Sequence, residues 1–247
     1  MSDRYPRLSG PLAGVIDSTR HPLRFAQFLF MRHVMRSGAF PLDAPVGTIA
    51  GTPTKRLVVV GEATAAGYGT VSHQLSIAGH LARALATRDG VGVSWEVAPF
   101  ADLTVRTAGK GLSKGDLFAG ADLVVVMLGV GDAIRMTSTA LWERLLGDSL
   151  RRLDCLLPCG AEVVIAEIPP LDAVALLPRA IRPVAGRRAV ALNLATAGMV
   201  HDRRRYSLGR FPPAEVPHLA VADPKRISSI YRAWAVSLLA PPCGRDK

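Results

Sequence analysis

The chain has 247 residues, 49% of them hydrophobic, and a formal net charge of +10. That length and apolar content suit one α/β domain, or one domain plus an appendage, and leave a sizeable core available. Its three cysteines, Cys155, Cys159 and Cys243, exclude a disulfide framework. No run reaches the roughly 18 apolar residues that a membrane span needs.

The first 54 residues read as a lead-in, broken by Pro6, Pro11, Pro22, Pro41, Pro45 and Pro53. Within it, His21 to Arg36 has the composition of one helix, apolar on several sides and carrying Arg24, Arg32 and Arg36. Such a segment either clasps the main domain or lies on an anionic membrane surface, so residues 20–36 are a candidate for weak membrane contact. It does not have the form of a signal peptide: Gln27 interrupts Phe25 to Met31, arginines bracket it, and no small-residue cleavage site follows. With the sparse cysteines, this points to a cytoplasmic protein, with membrane association as the variant reading.

From Arg56 the chain alternates. Leu57 to Val60 reads as a buried strand. Ser72 to Thr87 places Leu75, Ala78, Leu81, Ala82 and Leu85 on one helical stripe. Val91 to Val97 alternates like a strand, and Leu123 to Leu128 is another continuous apolar run. Thr139 to Leu157 carries the stripe Leu141, Leu145, Leu146, Leu150 and Leu153. Glu162 to Ile168 predicts a fourth strand, closed by Pro169 and Pro170. Pro183 to Met199 and Ser228 to Leu239 read as helices. Short apolar strands separated by helices predict a parallel sheet covered on both faces, a three-layer α/β/α sandwich. Residues 55–240 form this domain and 241–247 a tail. Functional groups in such folds gather at the carboxyl ends of the strands, where the Gly61, Asp102 and Gly129 segments fall.

Those segments carry a pattern. Leu57-Val58-Val59-Val60 runs into Gly61-Glu62-Ala63-Thr64, with Gly67-Tyr68-Gly69 a few residues on. This resembles block I of the GDSL/SGNH hydrolases, a strand entering Gly-Asp-Ser. The resemblance extends from about Arg56 to Ala240 and is closest to the small esterase-like members common in actinobacteria. It implies a flavodoxin-like fold. It also implies a nucleophilic serine, an oxyanion hole built with a block-II glycine and a block-III asparagine, and a block-V Asp-x-x-His. In this sequence the serine position holds Ala63, with Glu62 in place of aspartate. Asp102 stands at the block-II glycine and Gly131, in Gly129-Val130-Gly131-Asp132, at the asparagine. Asp223 of the last block is retained, but Arg226 takes the histidine position.

Each replacement has a chemical consequence. A methyl group cannot attack a carbonyl. Arginine stays protonated and has no lone pair to accept a proton. Gly131 has no side-chain donor, and losing one oxyanion donor costs about 10²–10³ in rate. Asp102 puts a negative charge near a developing oxyanion. Together they point to a catalytically inactive relative that keeps a binding role, for a small ligand or a protein partner such as an active relative. The alternative is an esterase or acyltransferase with a rearranged site using the Thr64 hydroxyl. That route needs a base, for which His73, His80, His201 and His218 are the sequence's candidates.

Glu62, Thr64, Asp102, Gly129, Asp132 and Asp223 are the candidate pocket residues. The carboxylates among them are expected to pair with Arg135 and Arg226 rather than bind a cation. The sequence calls for no cofactor and shows no metal-ligand spacing. The basic surplus at the two ends, including Arg203-Arg204-Arg205, lacks the interleaved aromatics of single-strand binders. It reads as a solvated face, and nucleic acid is not among the expected partners.

Overall fold

The computed structural model describes residues 40–99, 104–112, 115–220 and 224–240. The expected helix at 21–36, with its membrane contact, lies outside these residues, as do Asp102, Asp223 and the 241–247 tail.

In chain order the elements are β1 (Val46–Ile49), β2 (Thr54–Gly61), α1 (Ile77–Asp89), β3 (Gly92–Pro99), α2 (Val105–Gly111) and α3 (Gly115–Phe118). Then come β4 (Leu123–Met127), α4 (Val130–Ile134), α5 (Thr139–Leu156), β5 (Glu162–Ala166), α6 (Arg182–His201), β6 (Tyr206–Gly209) and α7 (Pro224–Leu238). Single-turn and longer 3-10 segments cover His73–Leu75 and Pro213–Ala220.

The six strands form one sheet in the order β1-β3-β2-β4-β5-β6. All neighbours are parallel except β1, which runs antiparallel to β3. The order turns at β2: the chain goes from it to β3 on one side, then crosses back to β4 on the other. Ligand crevices in such sheets open at that switch. It places the Gly61 end of β2 beside the Met127 end of β4, with which it is in register.

Period-two alternation sorts the central strands between two cores. Val58, Val60, Val124, Val126, Val163 and Ile165 pack under the face that carries α2, α5 and α6. Leu57, Val59, Leu123, Val125, Met127 and Val164 pack under α1 and α7. The three-layer sandwich expected from the sequence is therefore the fold.

The differences are local. The helix expected from Ser72 breaks at Ser76, which is extended (φ −78°, ψ 175°) and caps α1. Its Oγ donates to the His73 carbonyl at 2.7 Å, closing the preceding turn instead of continuing the helix. Leu75 leaves the stripe as a result and is exposed, while Ala78, Leu81, Ala82 and Leu85 are buried as expected. β1 lies inside the stretch read as lead-in. Its four residues, Val46-Gly47-Thr48-Ile49, are too short and too close to prolines to register as a strand alone. They fold because β3 offers an edge, and Val97 N–H donates to the Pro45 carbonyl at 2.8 Å. β6 escaped notice for the same reason, being only four residues long and directly following the arginine run.

That arginine run is tied into the protein. Arg203 Nη1 lies 3.4 Å from Asp154 Oδ2, and its guanidinium sits over the Tyr206 ring. Arg205 Nη2 donates to the Cys159 carbonyl.

The packing sets a stability expectation. Leu146 is fully buried between α5 and the sheet, whereas Leu194 on α6 is 69% exposed. Leu146→Ala should cost about 2–5 kcal/mol in urea unfolding, and Leu194→Ala no more than about 0.5 kcal/mol. Equal losses at the two positions would contradict this assignment of the core.

Candidate functional site

The site begins where β2 ends. Gly61 has no room for a side chain: a Cβ there would meet the Met127 carbonyl at 2.5 Å and Ala65 Cβ at 2.8 Å. The chain then coils tightly, with Ala66 N–H on the Glu62 carbonyl and Tyr68 N–H on the Ala63 carbonyl. Gly67 and Gly69 take left-handed conformations (φ 82° and 78°), which lets the loop turn back toward α1. The Tyr231 hydroxyl on α7 donates to the Tyr68 carbonyl at 2.7 Å and ties the loop down.

Opposite it, the β4–α4 turn passes through Gly129 at φ 116°. A side chain there would strike Ile168 Cδ1 at 2.6 Å. Gly129 N–H donates to Glu62 Oε1 at 3.1 Å, and Gly131 N–H also bonds the Glu62 carboxylate. Glu62 is thus a carboxyl held in two backbone N–H groups beside Ala63. Burial is the largest influence on it and raises its pKa from 4.5 to about 8; the nearby Asp132 charge pushes the same way, while the N–H bonds and Arg135 oppose.

Asp132 does not face this space. It is 1% exposed. Its Oδ2 accepts from Val105 N–H at 2.8 Å and its Oδ1 from the Thr137 hydroxyl at 2.9 Å. It therefore caps the start of α2 and holds the turn after α4. Burial pushes its carboxyl pKa up despite these bonds. Arg135 acts electrostatically on both Glu62 and Asp132. Among the described residues Arg226 does not pair with Glu62 or Asp132, and its other expected partners, Asp102 and Asp223, lie outside them. Arg226 is exposed on α7, and its Nη1 donates to His218 Nδ1 at 2.9 Å. Its side chain reaches back over the 3-10 segment.

The Thr64 hydroxyl bonds the Tyr231 hydroxyl. None of the four candidate histidines lines the cleft. His73 Nδ1 is 2.9 Å from Asp43 Oδ1. His80 Nε2 pairs with the Ser228 hydroxyl, and burial followed by the charges of Arg83 and Arg232 lowers its pKa to about 4. His218 faces Arg226, and His201 ends α6 on the exposed side.

Of the six pocket residues read from the sequence, Glu62 and Thr64 line the cavity at the strand ends. Gly129 contributes its N–H and Asp132 supports the loops from behind. Asp102 and Asp223 lie outside the described residues. Sequence reasoning missed Glu167, Ile168 and Trp234, which line the same cavity. Glu167 follows β5 at its carboxyl end, so the strand-end rule applied to Glu162–Ile168 was the signal available. Its Oε2 accepts from Phe211 N–H at 2.8 Å. Trp234 packs edge-on against Phe211, and its indole N–H is buried without a partner.

The cavity holds about 20 Å³, the space of one water molecule. Among the described residues no group of three His, Cys, Asp or Glu is placed to hold a metal ion.

The fold is similar to that of solved lipolytic proteins of the GDSL/SGNH type. A lipase from a goat rumen metagenome superposes with a TM-score of 0.59 at 12% identity, over 74% of this chain and 95% of that one. A member of the lipolytic protein G-D-S-L family from Veillonella parvula gives 0.56 at 11% identity, over 75% and 98%. An acetyl-xylooligosaccharide esterase from Geobacillus gives 0.56 at 12% identity, over 78% and 97%. At such identities the likeness establishes the fold. No protein-family model matches the chain, and no curated protein sequence matches it significantly.

The Glu62 environment sets a pH dependence. With a folded pKa near 8 against 4.5, the native state holds a proton that the unfolded chain releases between those values. The stability from this group is fully present below pH 4.5 and declines as pH rises through 8. Glu62→Gln keeps an acceptor for Gly129 N–H and removes the titration. Its thermal stability should change less between pH 5 and 9 than the wild type's, with an advantage at pH 9 of up to about 4 kcal/mol. Parallel profiles for the two proteins would remove Glu62 as the titrating group.

Proposed function

We propose that this protein uses the lipase-esterase fold for binding and does not hydrolyse esters. The observation that carries the reading is the setting of Thr64. Among the described residues, Thr64 is the one hydroxyl side chain lining the cleft, it is bonded to a phenol, and no histidine borders it. Burial pushes the Tyr231 pKa above the ordinary phenol range, so this phenol offers no base at neutral pH. Ala63 and Arg226 remove the nucleophile and the base that the fold's chemistry would use. Gly131 removes a side-chain donor and lends its N–H to Glu62 instead.

A water-sized cavity has no room for an acyl chain as it stands. This favours a protein partner, such as an active relative, over a lipid-like ligand. A second reading, hydrolysis through Thr64, draws on one observation: the Glu62 carboxyl titrates near neutrality in the same cleft and could stand in for the missing histidine.

The test is direct. The purified protein should hydrolyse short p-nitrophenyl esters no faster than a heat-denatured sample. Turnover that is lost in both Thr64→Val and Glu62→Gln would establish the second reading in place of the first. Combining Ala63→Ser, Asp102→Gly, Gly131→Asn and Arg226→His asks whether the cleft itself survives. With about 20 Å³ of space, the quadruple variant should fold, by circular dichroism, and still show no turnover above that of the parent protein. Near-normal turnover would show an open pocket and favour a small ligand.

A further inference from the structure

α6 carries apolar residues on two opposite sides. Ala185, Ala189, Leu192 and Val200 are buried in the core shared with the sheet and α5. The other side presents Arg187, Val190, Leu194, Gly198 and His201, all exposed. Val190 is 58% and Leu194 69% exposed, one turn apart. A surface helix ordinarily turns charged and polar residues to water on that side, and a helix that is hydrophobic all round is a covered one.

This stripe is symmetric about Leu194. Val190 and Gly198 stand four residues to either side of it, and Arg187 and His201 stand seven. Such offsets return to the same helix face after one and two turns. An antiparallel pair of α6 helices with a two-fold axis at Leu194 therefore sets Leu194 against its own copy and Val190 against Gly198. It also sets Arg187 against His201, with Asp202 next to it.

The face complements itself in shape and in charge. Glycine inside a helix is less stable than alanine. A Cβ at Gly198 would meet nothing within 4 Å, so no neighbour among the described residues requires a glycine there. In the two-fold pair that gap receives Val190. Arg187 comes to the carboxyl end of the other copy's α6, where the last carbonyls and the Asp202 carboxylate are negative. The symmetry makes each of these contacts twice.

We propose that α6 is a homodimer contact, two copies of this chain packing their α6 helices antiparallel about a two-fold axis at Leu194. It uses none of the residues of the strand-end cleft and does not depend on how that cleft is read. α6 has 20 residues, a length of about 30 Å. One helix pair of that length buries less than the ~1,600 Å² of a standard interface, so the dimer is reversible, with a Kd in the micromolar range.

Sedimentation velocity of the full chain over a dilution series, at low salt, reads this equilibrium. A reversible monomer–dimer equilibrium is expected. Leu194→Glu sets two carboxylates against each other on the axis and should weaken the dimer at least about thirtyfold, as loss of a central contact does. Gly198→Leu fills the gap that takes Val190 and should weaken the dimer while leaving the monomer's Tm equal or higher. Arg187→Asp and Asp202→Arg should each weaken it severalfold, and the two together should restore it. Val236→Glu, a like change at an exposed position on α7, should leave it intact. A wild type that stays monomeric throughout overturns the proposal; a lower Tm in monomeric Leu194→Glu would then assign the face to this chain's own residues. A dimer that survives Leu194→Glu, one that Val236→Glu weakens equally, or one that the paired charge reversal restores no better than the single ones overturns it as well.

Discussion

Burial of β2, β4 and β5 on both faces is the constraint from which the rest of the molecule follows. Leu57 to Val60, Leu123 to Val126 and Val163 to Ile165 are all at or below 5% exposure, and successive side chains alternate between two separate cores. A strand with no solvated face needs helices above and below it, so α1 and α7 must cover one side and α5 and α6 the other. Parallel strands also need long right-handed crossovers, which send every loop of one kind to the same end of the sheet. The cleft is where it is because the strand order reverses at β2 and brings the ends of β2, β4 and β5 together.

Within that cleft, electrostatics and space act in the same direction. The two N–H groups of the β4–α4 turn are occupied by the protein's own carboxyl. Desolvation makes Glu62 hard to ionise, and the N–H bonds recover only part of that cost, which is why its pKa ends near 8 instead of returning to the ordinary range. Apolar walls from Ile168 and Trp234 and the small volume leave little water to screen it. The neighbouring Thr64 hydroxyl is engaged with Tyr231 as well.

The acidic and basic residues divide by burial. Asp132 looked like a pocket residue by position but serves as scaffold, its two oxygens satisfied by Val105 and Thr137. Among the described residues Arg226 bonds a histidine eight residues away, while its expected partners Asp102 and Asp223 lie outside them. Sequence spacing placed both on the right segments. It could not tell which way a side chain turns once α7 packs on α1 and the 3-10 segment folds over it.

By itself the sequence determined the layered α/β/α architecture and its long elements, because continuous apolar runs and 3.6-residue stripes are local signals of burial. It also determined that Ala63, Gly131 and Arg226 cannot supply a nucleophile, a side-chain donor or a base, since that is a property of the side chains wherever they lie. The tertiary structure alone decided the edge strands β1 and β6, which exist only through pairing with β3 and β5. It decided the break at Ser76, where a side-chain bond outcompetes the helix. It brought Glu167 and Trp234 into the cleft from distant segments. Each of these depends on contacts between residues far apart in the chain, for which no local periodicity exists.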